Sequence, residues 1–206
     1  MENRWVELLP SPAPVEDETS EIAPDVDDAL VGAAHPQLGL DVPDGNGLGE
    51  VFTDDVCVHW VGTHGGSGES TLETWLGGRA CGHRWPRATP GSEATVATVL
   101  VARRTHNGMA SASAAARQWA AGAVPGVNLL GLVLIEDAPG KVPRELQRQA
   151  KVLSGAVPRT WILPWIEDLR VHGETDPASL SHAATRTLAS LREVVEEHTP
   201  AQKRNV

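Results

Sequence analysis

A chain of 206 residues, 41 % of them hydrophobic, can bury a real core in one ordinary domain. It holds no uninterrupted apolar run near the ~20 residues of a membrane span, and its first ten residues lack the apolar stretch of a secretory signal. The net charge of −10 is unevenly placed: residues 1–55 hold 14 Asp/Glu against Arg4 alone, while 56–206 hold 13 Asp/Glu against 16 Lys/Arg, spread too thinly to form a nucleic-acid stripe. Two cysteines, Cys57 and Cys81, do not make a disulfide framework, so a cytoplasmic, reducing setting is expected. Arg outnumbers Lys 14 to 3, a bias of high-GC bacterial genomes.

Residues 1–55 form an acidic tail rich in Pro and Gly. Stretches such as Ser11-Pro-Ala-Pro14 and Asp41-Val-Pro-Asp-Gly-Asn-Gly47 carry no helical or strand periodicity. Such a segment buries too little apolar surface to offset its ordering entropy, which predicts disorder over 11–50. Ahead of it, Arg4 to Pro10 is a short apolar island. With Trp5, Leu8 and Leu9 it is either a docking peptide for a partner protein or a patch that touches its own domain.

From residue 56 to 200 the pattern is that of a folded α/β domain. Val56 to Val61 reads as a strand, followed by a glycine loop and a helix from about Ser70 to Leu76. Arg79 to Ser92 reads as loop, Thr95 to Arg103 as a buried strand, and Gly108 to Ala121 as an Ala-rich helix. Val127 to Ile135 is a continuous apolar run, hence another buried strand. A helix follows over Pro143 to Ser154, with Pro in the first turn where its missing N–H does no harm. Arg159 to Leu163 is a short strand ending at Pro164. The last helix spans Asp176 to Glu197, with Leu180, Ala183, Ala184, Leu188, Leu191 and Val195 on one face. Strands alternating with helices predict a mostly parallel sheet flanked by helices.

The chemistry centres on the loop His64, Gly65, Gly66, Ser67, Gly68, Glu69, Ser70 and Thr71, between the first core strand and its helix. A glycine-rich turn from strand to helix aims several backbone N–H groups at one spot beside the positive end of a helix dipole, which is how phosphates are held. The usual phosphate-binding loop adds a Lys after the last Gly for the outer phosphates and a Ser/Thr for Mg²⁺. Ser70 and Thr71 stand here, but the Lys position is Glu69. Opposite unit charges ~4 Å apart attract by roughly 4 kcal/mol at an effective dielectric near 20, so reversing one sign is a large penalty for a triphosphate.

His64-Gly-Gly-Ser-Gly-Glu-Ser-Thr71 resembles the deviant Walker A loop of ParA/MinD-like ATPases, Lys-Gly-Gly-x-Gly-Lys-Ser/Thr-Thr. His64 replaces the first family lysine, which reaches across an ATP-sandwich dimer, and Glu69 the second, which binds the phosphates of its own subunit. The resemblance implies a compact P-loop-type fold over about 56–172. Val99 to Arg103, Leu130 to Ile135 and Trp161 to Ile166 are similar to the family's later strands. The loop Gly68-Glu-Ser-Thr-Leu72 is also similar to that of a family of high-GC bacteria found with mobile-element or conjugation genes.

A metal-holding acid should end a strand beside the loop. Leu132 to Gly140 supplies Asp137 as candidate, although the run reads better as a late strand with an acidic turn. In the family the turn between Trp161 and Trp165 lies near the base pocket, while large aromatics are more often core residues. Arg103 and Arg104 end a strand. They either restore the missing lysine charge, or form a surface pair or partners for Glu69. Cys57-Val-His59 and Cys81-Gly-His83 could gather around zinc, but a strand position for the first pair makes a buried thiol and an unrelated His the better reading, and no metal site is expected. An α/β-hydrolase is excluded because no Gly-x-Ser-x-Gly elbow follows His64-Gly-Gly66.

The expected function is a non-hydrolysing pseudo-NTPase scaffold or adaptor, without cofactor. Its partner is a protein, bound through Trp5, Leu8, Leu9 and the acidic tail and linked to a bacterial conjugation, secretion or mobile-element system. The alternative is a ParA/MinD-like ATPase with an atypical loop, using Arg103 or Arg104, Asp137, ATP and Mg²⁺. A DNA-binding partition module is disfavoured by the acidic balance.

Overall fold

The computed structural model describes residues 30–37, 47–173 and 175–200. Trp5, Leu8 and Leu9 lie outside the described residues. The elements are β1 (Leu30–Val31), β2 (Gly49–Thr53), β3 (His59–Gly62), α1 (Glu69–Leu76), β4 (Arg79–Ala80), β5 (Arg84–Ala88), β6 (Val96–Arg103), α2 (His106–Ala120), β7 (Val127–Ile135), α3 (Arg144–Ser154), β8 (Arg159–Leu163), α4 (Glu167–His172), a 3-10 turn (Pro177–Ser179) and α5 (His182–His198). One sheet runs β1-β8-β7-β6-β3-β4, parallel except for β1, and β2 pairs with β5 in a second, two-stranded sheet. The expected α/β class, a mostly parallel sheet flanked by helices, is the one found.

β6 and β7 read as continuous apolar runs because helices cover both of their faces. Alternate residues serve the two sides. Leu100, Ala102, Leu132 and Leu134 pack against α2 and α3, through Met109, Ala112, Ala116, Trp119 and Leu153. Val99, Val101, Val133 and Ile135 share the opposite core with Leu72 of α1 and Ala184, Leu188, Leu191 and Val195 of α5. These α5 positions recur at helical spacing, so one stripe is buried while its polar face stays in water. Each large side chain fully buried in this way stabilises the fold by about 1.5–3 kcal/mol. β6 lies between β3 and β7, so the strand ending at Ile135 is not adjacent to the first core strand, as expected.

Several boundaries differ from expectation. The first core strand begins at His59, leaving Val56 exposed. Residues 79–92, read as loop, contain β4 and β5. Arg84-Trp-Pro-Arg-Ala88 hides its strand character because Pro86 donates no hydrogen bond, which a strand tolerates when only one neighbour pairs with it. The run Asp176 to Glu197 is not one helix. Asp176 caps the 3-10 turn through Ala178 N (2.9 Å), and Ser181 then caps α5 through Ala184 N (3.3 Å). Two capping residues in close succession make two starts. Pro143 is the N-cap of α3 rather than part of its first turn.

Of the stretch 11–50, expected to be disordered, residues 30–37 and 47–50 are described and touch the domain; 11–29 and 38–46 lie outside the described residues. β1 pairs with the β8 edge, and Gly32 N and Ala33 N donate to Pro158 O (3.2 Å) and Gly155 O (3.1 Å). Leu48 is held at both backbone groups by one side chain: Leu48 N donates to Gln118 Oε1 (2.9 Å) and Gln118 Nε2 donates to Leu48 O (3.0 Å). The same Oε1 accepts from Nε1 of the fully buried Trp85 (2.8 Å). A polar amide inside α2 thus replaces a strand partner, which no local periodicity announces.

Gln118→Ala removes all three bonds and leaves buried donors unpaired, each worth ~1–3 kcal/mol. We expect a loss of about 2–4 kcal/mol in chemical denaturation and faster amide exchange over 48–53. An unchanged midpoint would refute this account of the tail's anchorage.

Candidate functional site

The loop from Gly62 to Gly68 leaves the end of β3 and is tied down on both sides. Gly62 N donates to Gly82 O (2.9 Å), and His83 Nδ1 donates to Gly62 O (2.9 Å). Thr63 donates to Val101 O through its backbone N (2.9 Å) and through Oγ1 (3.3 Å). Ser67 N then closes the turn onto His64 O (3.3 Å). Gly66 and Gly68 sit at φ 72° and 104°, in the left-handed region that other residues rarely adopt, so the glycines are demanded by the turn itself.

His64 is a brace. Its Nε2 accepts from Arg103 N (3.0 Å), which assigns the ring proton to Nδ1, and Nδ1 donates to Gly65 O (2.9 Å). Arg103 bridges the loop to the end of β7, donating from Nε to Gly66 O (3.2 Å) and from Nη1 to Glu136 O (3.3 Å). Arg104 turns the other way and forms an ion pair with Glu136, the side chains being only 10 % and 14 % exposed. Neither arginine pairs with Glu69, contrary to one expectation. The ends of β6 and β7 hold Arg104 against Glu136 instead.

Glu69, at the start of α1, is half-buried and folds back into the turn. Ser67 Oγ, itself fully buried, donates to Glu69 Oε2. A Cβ added at Gly62 would lie 2.7 Å from Glu69 Cδ, so the carboxylate rests against the bare backbone of that glycine. Among the described residues, the amides of Glu69, Ser70 and Thr71 donate to no other group, and α1 has no side-chain cap. These are the open donors of a helix start.

Beside the loop lies a cavity of about 410 Å³, bounded by Gly68 and Thr71 of the loop and α1, Arg103, Asp137, Trp165 and Arg170. It sits beyond the C-terminal ends of β6, β7 and β8, where open parallel sheets present ligands. Trp165 Nε1 donates to Glu167 Oε2 (2.7 Å), and the Arg170 guanidinium lies 5.8 Å over the Trp165 ring. The structure therefore brings Gly68, Thr71, Arg103 and Asp137 around one space, while Arg104 and the other loop residues, Glu69 among them, do not line it. Trp161 belongs to the core, its ring under Arg159 at 4.9 Å. The contribution of α4 was missed, although Glu167 and Asp168 at its start, Arg170 and His172 at its end and Gly173 beyond are a readable short-helix signature.

The Cys and His pairs have other engagements. The fully buried His59 holds Cys57 O through Nδ1 (3.0 Å) and contacts Thr53 Oγ1 through Nε2 (3.3 Å). Burial lowers its pKa. Burial, with Cys57 nearby, pushes the Cys81 thiol up to about 11, away from the thiolate that a metal takes. Among the described residues no three His, Cys, Asp or Glu gather to hold a metal ion. No described helix is long and apolar enough to cross a membrane.

Breaking the Arg104–Glu136 pair tests how firmly the cavity wall is held. Glu136→Gln leaves a nearly buried guanidinium without its counter-charge and should cost about 3–5 kcal/mol, whereas replacing both by Met should cost less than either single change. Urea melts of the three variants decide it. A double variant weaker than both singles would contradict the assignment.

Residues 56–187 match DUF6668, a family of unknown function. No curated protein and no solved structure matches the chain. The match spans the loop, the cavity and every strand of the main sheet except β1. The chain belongs to the DUF6668 family.

Proposed function

We propose that the protein is a non-hydrolysing pseudo-NTPase scaffold: a P-loop-type domain, similar in its loop to ParA/MinD-like ATPases, that supplies its own anion to the glycine turn and acts by binding a partner protein. The observation that carries this reading is the Glu69 carboxylate folded back onto Ser67 and Gly62. A carboxylate in the first turn of a helix is favoured by about 0.3–1 kcal/mol through the dipole and open N–H groups. A phosphate brought to the same turn meets that charge instead of a lysine. The partner would engage the N-terminal island with Trp5, Leu8 and Leu9, in a bacterial conjugation, secretion or mobile-element setting.

A second reading, an ATPase with an atypical loop, draws on the cavity, where Arg103 and Asp137 flank Gly68 and Thr71. In that case Arg103 supplies the missing positive charge and Asp137 reaches Mg²⁺ through water. Arg104, already neutralised by Glu136, would take no part.

Melting curves with and without millimolar ATP–Mg²⁺ separate the two. The wild type should show no shift. Glu69→Lys should melt lower than wild type without ligand, yet gain about 3–6 °C with nucleotide at ten times its Kd, which corresponds to about 1.4 kcal/mol of linkage. A nucleotide-induced rise in the wild type would sink the scaffold reading and favour the ATPase.

A further inference from the structure

Two guanidiniums line the cavity beside the glycine loop, and both have donors to spare. Arg103 donates from Nε to Gly66 O (3.2 Å) and from Nη1 to Glu136 O (3.3 Å); among the described residues its Nη2 meets no acceptor. Arg170 lies 5.8 Å over the Trp165 ring and, among the described residues, is in no ion pair. Stacking engages the face of a guanidinium and leaves its edge, with the N–H fork, for a planar acceptor. The rest of the wall is largely apolar: Leu72, Ile135, Leu163, Pro164, Ile166 and Leu169.

The charge of the lining selects the charge of a ligand. Arg103 and Arg170 bring two positive charges and Asp137 one negative, while Glu136 is already matched by Arg104. One positive charge is left over, which suits a monoanion. A phosphate monoester carries about −1.5 to −2 at neutral pH and exceeds that balance. The Glu69 carboxylate, held on Ser67 beside Gly68, opposes the excess. A carboxylate has one charge and a planar pair of oxygens that an arginine fork grips with two hydrogen bonds. The volume of about 410 Å³ falls in the range of ~300–1,000 Å³ usual for small-molecule sites.

We propose that this cavity binds a small amphipathic carboxylate, its carboxylate group on Arg103 and Arg170 and its apolar body on the wall formed by Leu163, Pro164, Ile166 and Leu169. The protein then carries a ligand site for an organic acid next to a glycine turn that supplies its own anion. The assignment rests on the scaffold reading only in its exclusion of phosphates. Its test contains no nucleotide, so a nucleotide-induced shift in melting would refute that reading and leave the carboxylate measurement standing.

The probe is 2-naphthoate, titrated at neutral pH into the full chain and followed by amide chemical shifts in NMR. At the ordinary binding efficiency of a small ligand, it should saturate with a Kd of about 1 mM or tighter. Shifts should concentrate on the amides of Gly68, Thr71, Asp137, Trp165 and Leu169. Arg170→Gln should weaken binding about tenfold, as expected for losing one charged hydrogen-bonding partner, and Arg103→Gln should do so at least equally. Arg144→Gln, on α3 across the sheet, should leave it unchanged. The neutral 2-naphthamide and the more highly charged 2-naphthyl phosphate should each bind about tenfold more weakly than the carboxylate. Unshifted spectra of β6 and β7 certify the fold of each variant, and Arg170→Gln, remote from the loop's braces, decides the matter if Arg103→Gln fails to fold. Absence of saturable shifts at these amides overturns the proposal. So does equal affinity for the amide, tighter binding of the phosphate, or full affinity in Arg170→Gln.

Discussion

Between β3 and α1 the backbone turns through left-handed glycines, and the side chain that follows them folds back into the turn. The buried hydroxyl of Ser67 holds that Glu69 carboxylate against Gly62, where no side chain could fit beside it. A charge-assisted hydrogen bond of this kind is about twice as strong as a neutral one. Any second anion brought within ~4 Å would meet a repulsion of roughly 4 kcal/mol at an effective dielectric near 20. The binding chemistry of the whole loop follows from that sign.

The rest of the site is built to keep the loop in this shape. His64 accepts from the backbone of Arg103, Arg103 reaches back to Gly66 and across to Glu136, and Thr63 is pinned to β6. α2 starts directly behind the brace: a Cβ on Gly108 would lie 2.9 Å from His64 Nε2. The loop is thus tied to β6 and, through Arg103, to the end of β7, and cannot change shape without disturbing the sheet. Helices cover both faces of that sheet, so its strand ends are where a cavity opens.

Residues 30–37 and 47–53 join this framework. β1 covers the edge of β8, and Gln118 grips Leu48 as a neighbouring strand would.

What the sequence determined by itself is local. The glycines, Glu69 and the strand-to-helix placement mark the loop, and the apolar runs of β6 and β7 mark the central strands, because burial on both faces needs no partner to be recognised. The α5 stripe is legible for the same reason, since 3.6-residue spacing is a property of one helix. Only the tertiary structure decided the partners of charge and backbone. That Arg104 belongs to Glu136, that Arg103 serves carbonyls, and that β2 and β5 exist at all depend on contacts between segments far apart in the chain. Arg84-Trp-Pro-Arg-Ala88 and Gly49 to Thr53 are each only five residues long, too short to stand as strands alone. Each is a strand because the other lies beside it, with Trp85 in the core and its indole N–H on Gln118. A hydrogen bond across 70 residues leaves no trace in either neighbourhood.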